Sequence, residues 1–265
     1  MEWFQVLVLA VVQGFTEFLP ISSSGHLVLP KELLGWPDQG LAFDVAVHVG
    51  SLAAVLIYFR KDVLQLLTAW LQSLTKRQGS DDSRLAWCVI LATIPAGLCG
   101  LLLDDWIEAH LRGMGVIAAT TIFYGLLLGW ADKSGSRSLS IVDIGWRVAL
   151  IIGLAQALAL VPGTSRSGIT ITAALFLGFN RDAAARFSFL LSIPLILAAG
   201  GLKTFQLIEI GTTVPFEQIA LGALLSGITA YACIHGFLSL LDKVGMMPFV
   251  VYRLLLGGFL IIMML

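Results

Sequence analysis

Two stretches of the chain concentrate the residue types that move protons and hold anions. The first reads Gln13-Gly14-Phe15-Thr16-Glu17-Phe18-Leu19-Pro20-Ile21-Ser22-Ser23-Ser24-Gly25-His26. The second reads Gln156-Ala157-Leu158-Ala159-Leu160-Val161-Pro162-Gly163-Thr164-Ser165-Arg166-Ser167-Gly168. Each runs apolar residues into a Pro, then a hydroxyl-rich turn, then a Gly, then more apolar residues. Gln13 and Glu17 are four apart and share a helix face. Pro20 ends or bends that helix, Ser22, Ser23 and Ser24 can cap the next one, and Gly25 permits a tight turn. His26 falls in the first turn of the new helix. In the second stretch, backbone N–H groups at a helix start point at the turn, backed by the positive end of the helix dipole. Arg166 adds a planar fork suited to phosphate oxygens, and Thr164, Ser165 and Ser167 add hydroxyl donors.

A hydroxyl nucleophile, an imidazole, a carboxylate and an anion clamp are the parts that phosphoryl transfer requires. Two plainer readings stand beside that one. The serines can be caps with Glu17 merely hydrogen-bonded to them, and Arg166 can pair with Glu17 for structure alone. His48, with Asp44 near the outer end of the same apolar run, is read as packing or pairing. No Gly-Lys-Ser/Thr phosphate loop is present, which argues against a nucleotide-driven pump.

The elements that must carry these groups are membrane spans. The chain has 265 residues, 58% hydrophobic and 12% charged, with a mean hydropathy of +0.92. A soluble domain carries roughly twice that charge. Apolar runs at 41–59, 85–103, 113–130, 186–202 and 218–241 approach or exceed the length of a span, and 247–265 adds another. The first 20 residues lack a basic leader and an A-x-A-like site, so no cleaved signal peptide is expected. Net charge is −1, and no nucleic-acid patch is visible. Cys88, Cys99 and Cys233 lie in apolar runs without metal-ligand spacing and are read as small buried hydrophobes.

Charge sets the expected topology. Arg60, Lys61, Lys76, Arg77, Arg84, Lys133, Arg137, Arg147, Arg181, Arg186, Lys243 and Arg253 are assigned to the cytoplasmic side. The segments 104–112 (Asp104, Asp105, Glu108, Arg112) and 203–217 (Lys203, Glu209, Glu217) are assigned outside. Six full spans result. Residues 1–36 must then leave and return on the outer side, and 146–178 on the inner side. The expectation is an all-α polytopic membrane protein with an inverted-topology repeat. Six full transmembrane helices accompany two re-entrant helix pairs. The chain is one membrane domain, 1–265, with repeat unit one at 1–131 (re-entrant pair 1–36) and unit two at 146–265 (re-entrant pair 146–178). The Asp44–Ser51 and Asp182–Phe189 segments occupy corresponding places in the two units. Gly125, Gly129, Gly257 and Gly258 are read as permitting close helix packing.

The two motifs, together with Arg186-Phe-Ser-Phe-Leu-Leu-Ser-Ile-Pro194, closely resemble the bacterial undecaprenyl-diphosphate phosphatases linked to bacitracin resistance, over nearly the whole chain. The resemblance implies hydrolysis of a C55 isoprenyl diphosphate to the monophosphate and inorganic phosphate during cell-wall synthesis. It implies an active site facing the outer side of the bacterial plasma membrane. It gives Ser23 the nucleophile role and Arg166 the phosphate clamp. Glu17 becomes a base or metal-linked carboxylate, and His26 an acid–base group or a rival phosphoryl acceptor. Gln13, Ser22, Ser24, Thr164, Ser165 and Ser167 become substrate-binding residues. A divalent Mg or Ca ion is also implied, with Glu17 as its ligand. The family often has Glu where this chain has Gln13, and Gln brings no charge to a metal. The expected partners are the polyprenyl diphosphate and the bilayer, with a homodimer left open. A polyprenyl-phosphate transporter or flippase on the same repeat is the alternative.

Overall fold

The computed structural model describes residues 1–77, 79–210 and 215–265, the side chains of 108, 209 and 210 excepted. Glu108 and Glu209, counted above among the outer acids, therefore lie outside the described side chains. The described residues form α1 (Trp3–Thr16), α2 (Ser23–Leu34), α3 (Leu41–Tyr58), α4 (Arg60–Thr75), α5 (Asp81–His110), α6 (Met114–Ser134), α7 (Trp146–Ala157), α8 (Arg166–Phe176), α9 (Arg181–Ile210), α10 (Phe216–Val244) and α11 (Met247–Met264). They contain no β-strand. Helices α3, α5, α6, α9, α10 and α11 are long and apolar enough to cross a membrane, and they fall on the six apolar runs. The chain is an all-helical, multi-pass membrane protein. Its surface agrees: Leu102, Ile208, Phe216 and Ile262 are each more than 70% exposed or at that value, as lipid allows and water does not.

The four short helices behave differently. At about 1.5 Å per residue, α1, α2, α7 and α8 span only roughly 16–21 Å, short of a hydrocarbon core of about 30 Å. Helix α1 packs on α10, and α7 packs on α5. A Cβ on Gly14, near the end of α1, would lie 2.4 Å from Ser226 O in the middle of α10. A Cβ on Gly153 in α7 would lie 2.6 Å from Ala92 O, near the middle of α5. Backbone therefore rests on backbone, and the two helices end near the mid-height of the spans they touch.

Two charged groups hold elements together from inside. Asp132, at the end of α6, is 2% exposed. It accepts Nε and Nη2 of Arg181 at 2.7 and 2.8 Å and Met246 N at 3.3 Å. The starts of α9 and α11 are thereby tied to the end of α6. The second group is Arg253, which the charge count placed in a cytoplasmic connection. It lies instead in the interior of α11, fully buried. Its partners are all backbone carbonyls, so it says nothing about loop charge. Gly125 makes room for it, since a Cβ there would meet Arg253 Cβ at 3.0 Å. Gly129 and Gly257 likewise receive Val250 and Ile122, while Gly258 has nothing within 4 Å. The stretch 60–75, which begins with two of the cations assigned to the cytoplasmic side and falls on none of the predicted spans, is a regular helix.

Asp132→Ala leaves Arg181 without its fork partner in a half-buried place and should destabilise the protein by about 3–5 kcal/mol. Thermal unfolding in detergent checks this; an unchanged midpoint would mean that the pair holds nothing.

Candidate active site

The interruption between α1 and α2 covers residues 17–22, and the one between α7 and α8 covers 158–165, where 158–160 form a 3-10 turn. Both end in the same way. Ser22 has φ 75° and caps α2 by accepting Gly25 N at 3.3 Å. Ser165 has φ 72° and caps α8 by accepting Gly168 N at 3.1 Å. A non-glycine residue at positive φ is uncommon and strained, so its occurrence at both caps marks one device used twice. Superposed on their caps, Ser23 and Arg166 occupy the same position, the first residue of each helix.

The exposed carbonyls of both interruptions are answered by side chains. Arg253 donates to Pro20 O at 3.1 Å, Thr164 O at 3.0 Å and Gly163 O at 2.9 Å, as well as to Thr121 O at 3.0 Å. Ser167 Oγ donates to Leu19 O at 2.8 Å, and Thr120 Oγ1 donates to Pro162 O at 2.7 Å. The guanidinium thus bolts one turn to the other and both to α6.

Around this frame the reactive side chains meet at Glu17, which is 7% exposed. Its Oε2 accepts Ser23 Oγ at 2.7 Å and Gln13 Nε2 at 3.0 Å. Its Oε1 accepts Arg166 Nη2 at 3.0 Å. Arg166 also donates to Ser188 O at 3.1 Å and lies over the Phe18 ring. Ser23, Glu17, Gln13 and Arg166 are therefore one hydrogen-bonded cluster built from both turns. Ser22 and Ser24 share a hydroxyl contact at 3.3 Å, and so do Ser165 and Ser167. Gln13 Oε1 and Thr164 Oγ1 are buried without a hydrogen-bond partner, which leaves unused polar capacity on each turn.

The histidines divide unexpectedly. His26 Nδ1 faces Ser22 O at 2.6 Å and Nε2 faces Tyr252 OH at 2.5 Å. A carbonyl only accepts, so Nδ1 carries the proton and Nε2 accepts from the tyrosine. The bonds of His26 go to neither Ser23 nor Glu17. The imidazole beside the carboxylate is His48, with Nε2 3.8 Å from Glu17 Oε2. Its Nδ1 donates to Asp44 O at 2.7 Å, so the neutral ring turns an Nε2 lone pair toward Glu17. The sequence offered Tyr252 only as a residue of an apolar run, and Arg253 only as a cytoplasmic charge. An arginine among eighteen otherwise uncharged residues was the available signal for the second.

A cavity of about 500 Å³, lined in part by Lys31, Asp44, Asp104 and Arg112, reaches the neighbours of the cluster, Ser24 and His48. On the other side of the first turn, two apolar crevices of about 390 and 400 Å³ share Phe15, Leu19 and Phe249. The implied divalent ion finds no ready protein cage. Among the described residues no three His, Cys, Asp or Glu side chains cluster at metal-binding range. Both oxygens of Glu17 already accept protein donors. The residues do not fit a resident metal.

Fold and site together define a polytopic helical membrane protein with a buried Ser–Glu–Gln–Arg cluster at two helix interruptions. The family model for the bacitracin resistance protein BacA matches residues 6–259, and the chain belongs to that family. It is 60% identical over 263 residues to the undecaprenyl-diphosphatase of Hahella chejuensis, covering 99% of this chain and 98% of the relative. It is 59% identical over 258 residues to that of Saccharophagus degradans, with 97% of each chain covered.

Replacing Arg253 with Met orphans Pro20 O and Thr164 O, at about 1–3 kcal/mol for each buried acceptor. Arg253→Lys keeps the charge but loses the fork and should not restore both turns. Melting in detergent should fall for both variants, and parental melting in Arg253→Lys would contradict the bolt.

Proposed function

We propose that this chain is an integral-membrane phosphatase that hydrolyses undecaprenyl diphosphate to undecaprenyl phosphate and inorganic phosphate, returning the lipid carrier to cell-wall synthesis. The observation that carries the reading is the Ser23–Glu17–Arg166 chain, in which a hydroxyl is hydrogen-bonded to a buried carboxylate held by an anion-binding guanidinium. The relatives' printed activity supports the substrate.

In this mechanism the diphosphate enters the polar cavity while the polyprenyl tail stays against apolar helix faces. Ser23 Oγ attacks the terminal phosphorus, and its proton passes to Glu17 Oε2. The bond from that phosphorus to the bridging oxygen breaks, and undecaprenyl phosphate leaves. Protonation removes the charge that holds Arg166 on Glu17, so the guanidinium is released to the phosphoryl oxygens as their charge grows. Glu17 gives this proton up, through the nearby His48, to the departing phosphate oxygen and is ionised again. It then takes a proton from the water that attacks the phosphoserine and returns it to Ser23 Oγ as the P–O bond to the serine breaks and inorganic phosphate departs. His48 is placed to relay the proton. His26 takes part, as acid–base group or as rival acceptor, only after its Nε2 gives up Tyr252. Ser24, Ser22, Thr164, Ser165 and Ser167 supply further donors or hold the turns that do. We assign any Mg or Ca to the diphosphate itself, since the cluster gives it no cage.

The same reading places 1–36 and 146–178 as re-entrant pairs of an inverted repeat, units 1–131 and 146–265. Three features support it. The caps share one geometry. Helix α1 packs on α10 as α7 packs on α5, and α3 on α10 as α9 on α5, while α6 meets α11. The short helices stop at mid-span. The polar cavity, lined by Lys31, Asp104 and Arg112, is assigned to the outer, periplasmic side by the charge bias. Its counterparts below the first turn are apolar, which favours one-sided hydrolysis over the flippase alternative, because a headgroup needs a polar route on both sides. Both turns come from one chain, so the reaction needs no homodimer.

Purified protein should release inorganic phosphate from a soluble short-chain isoprenyl diphosphate without a membrane gradient. Ser23→Ala, Glu17→Ala and Arg166→Ala should each lower turnover by about 100-fold or more, and an equal loss in His26→Ala would mean that His26 leaves Tyr252 during turnover. Near-normal release by Ser23→Ala would sink the nucleophile. No release by the parent, with headgroup transfer in vesicles, would favour the flippase.

A further inference from the structure

Helix α4 is unlike the other helices. It has no fully buried residue, is absent from the spans, and has no counterpart between α9 and α10 among the described residues. Its residues sort onto three faces. Val63 and Leu66 pack on the core, and on the same side the Trp70 ring meets Trp87 edge-on at 5.8 Å while Ser73 Oγ accepts Trp87 Nε1 at 3.2 Å. Lys61, Gln65, Thr68, Gln72 and Thr75 form an exposed polar face. Between them lies a stripe of leucines: Leu64 is 62% exposed, Leu67 48%, Leu71 47% and Leu74 50%. Steps of three, four and three keep the four on one side of the helix.

The ends of α4 decide what covers the stripe. Arg60 and Lys61 open the helix, and Lys76 and Arg77 follow it, all exposed. The nearby acid Asp62 is paired with Arg186 at 3.3 Å. Because both ends are cationic, two copies laid stripe to stripe would set cation against cation in either the parallel or the antiparallel sense. An anionic lipid surface complements both ends at once. Trp87 and Trp146 stand beside the same end with Arg77 and Arg84, lining one open cleft, and aromatic rings of this kind favour the headgroup level.

We propose that α4 lies flat in the headgroup layer of its leaflet, with Leu64, Leu67, Leu71 and Leu74 among the acyl chains and its cationic ends on anionic phospholipid. The helix is then a lipid-sensing brace on α5. This holds whether or not the phosphatase reading does, because it rests only on α4 and the membrane. The test uses the full chain in vesicles of phosphatidylcholine, with and without phosphatidylglycerol. An environment-sensitive fluorophore is attached in turn to Leu67→Cys, Leu71→Cys, Thr68→Cys and Gln72→Cys. The parent, whose own cysteines are buried or half-buried, sets the labelling background. Emission should be blue-shifted and quenched by lipid-borne spin labels at 67 and 71, and water-like at 68 and 72. Phosphatidylglycerol should raise the parent's melting temperature, and R60Q/K61Q/K76Q/R77Q should lose that rise. Water-like emission at all four positions overturns the proposal, as does an oxidative cross-link between copies through Leu67→Cys. A parent that melts alike in both lipids overturns its anionic part.

Discussion

Backbone carbonyls cannot be left unanswered inside a membrane, where each orphan costs several kcal/mol. This chain breaks two helices in its interior, at 17–22 and 158–165, and must therefore find donors for both. It does so with few groups. Ser167 answers Leu19, His26 answers Ser22, Thr120 answers Pro162, and Arg253 answers Pro20, Gly163 and Thr164 together. One guanidinium from α11 thus makes two breaks, each costly alone, into a single rigid junction. The glycine at position 125 and the carbonyls of α6 complete its seat. The placement of the reactive side chains around the junction depends on this backbone accounting.

The junction explains why two similar turns have different chemistry. Their caps are alike, down to a serine at positive φ followed by a helix whose third residue is Gly. At the first helical position one copy carries a hydroxyl and the other a guanidinium. Bringing Ser23 and Arg166 to opposite sides of Glu17 makes a group that can lose a proton face a group that can hold an anion. The carboxylate is the pivot: its Oε2 accepts Ser23 and its Oε1 accepts Arg166. Strain at Ser22 and Ser165 and burial at Glu17 hold Ser23 and Arg166 in one hydrogen-bonded cluster.

Much of this was legible in residue types and spacing. The six spans and the two interruptions followed from apolar run lengths and from Pro, Ser and Gly placement. The meeting of Glu17 with Ser23 and Arg166 followed from the cost of burying charge. What escaped shows the limits of local pattern. Arg253 was counted as a loop charge because loop counting treats every Arg near a span end alike; only long-range packing reveals that its partners are carbonyls. His48 and His26 were weighed by nearness in sequence, which favoured His26, whereas α3 packing sets His48 beside Glu17. Helix α4 was lost among charges because its leucines are diluted by a polar face.

If the two turns form one phosphoryl-transfer site, Ser23 is the acceptor. Rapid quench of the purified protein with a labelled short-chain isoprenyl diphosphate, followed by peptide mapping by mass spectrometry, addresses it directly. A phosphoryl group is expected on Ser23, and it should disappear in Arg166→Ala. A phosphoryl group on His26 in the parent, with Ser23 unmodified, would contradict it.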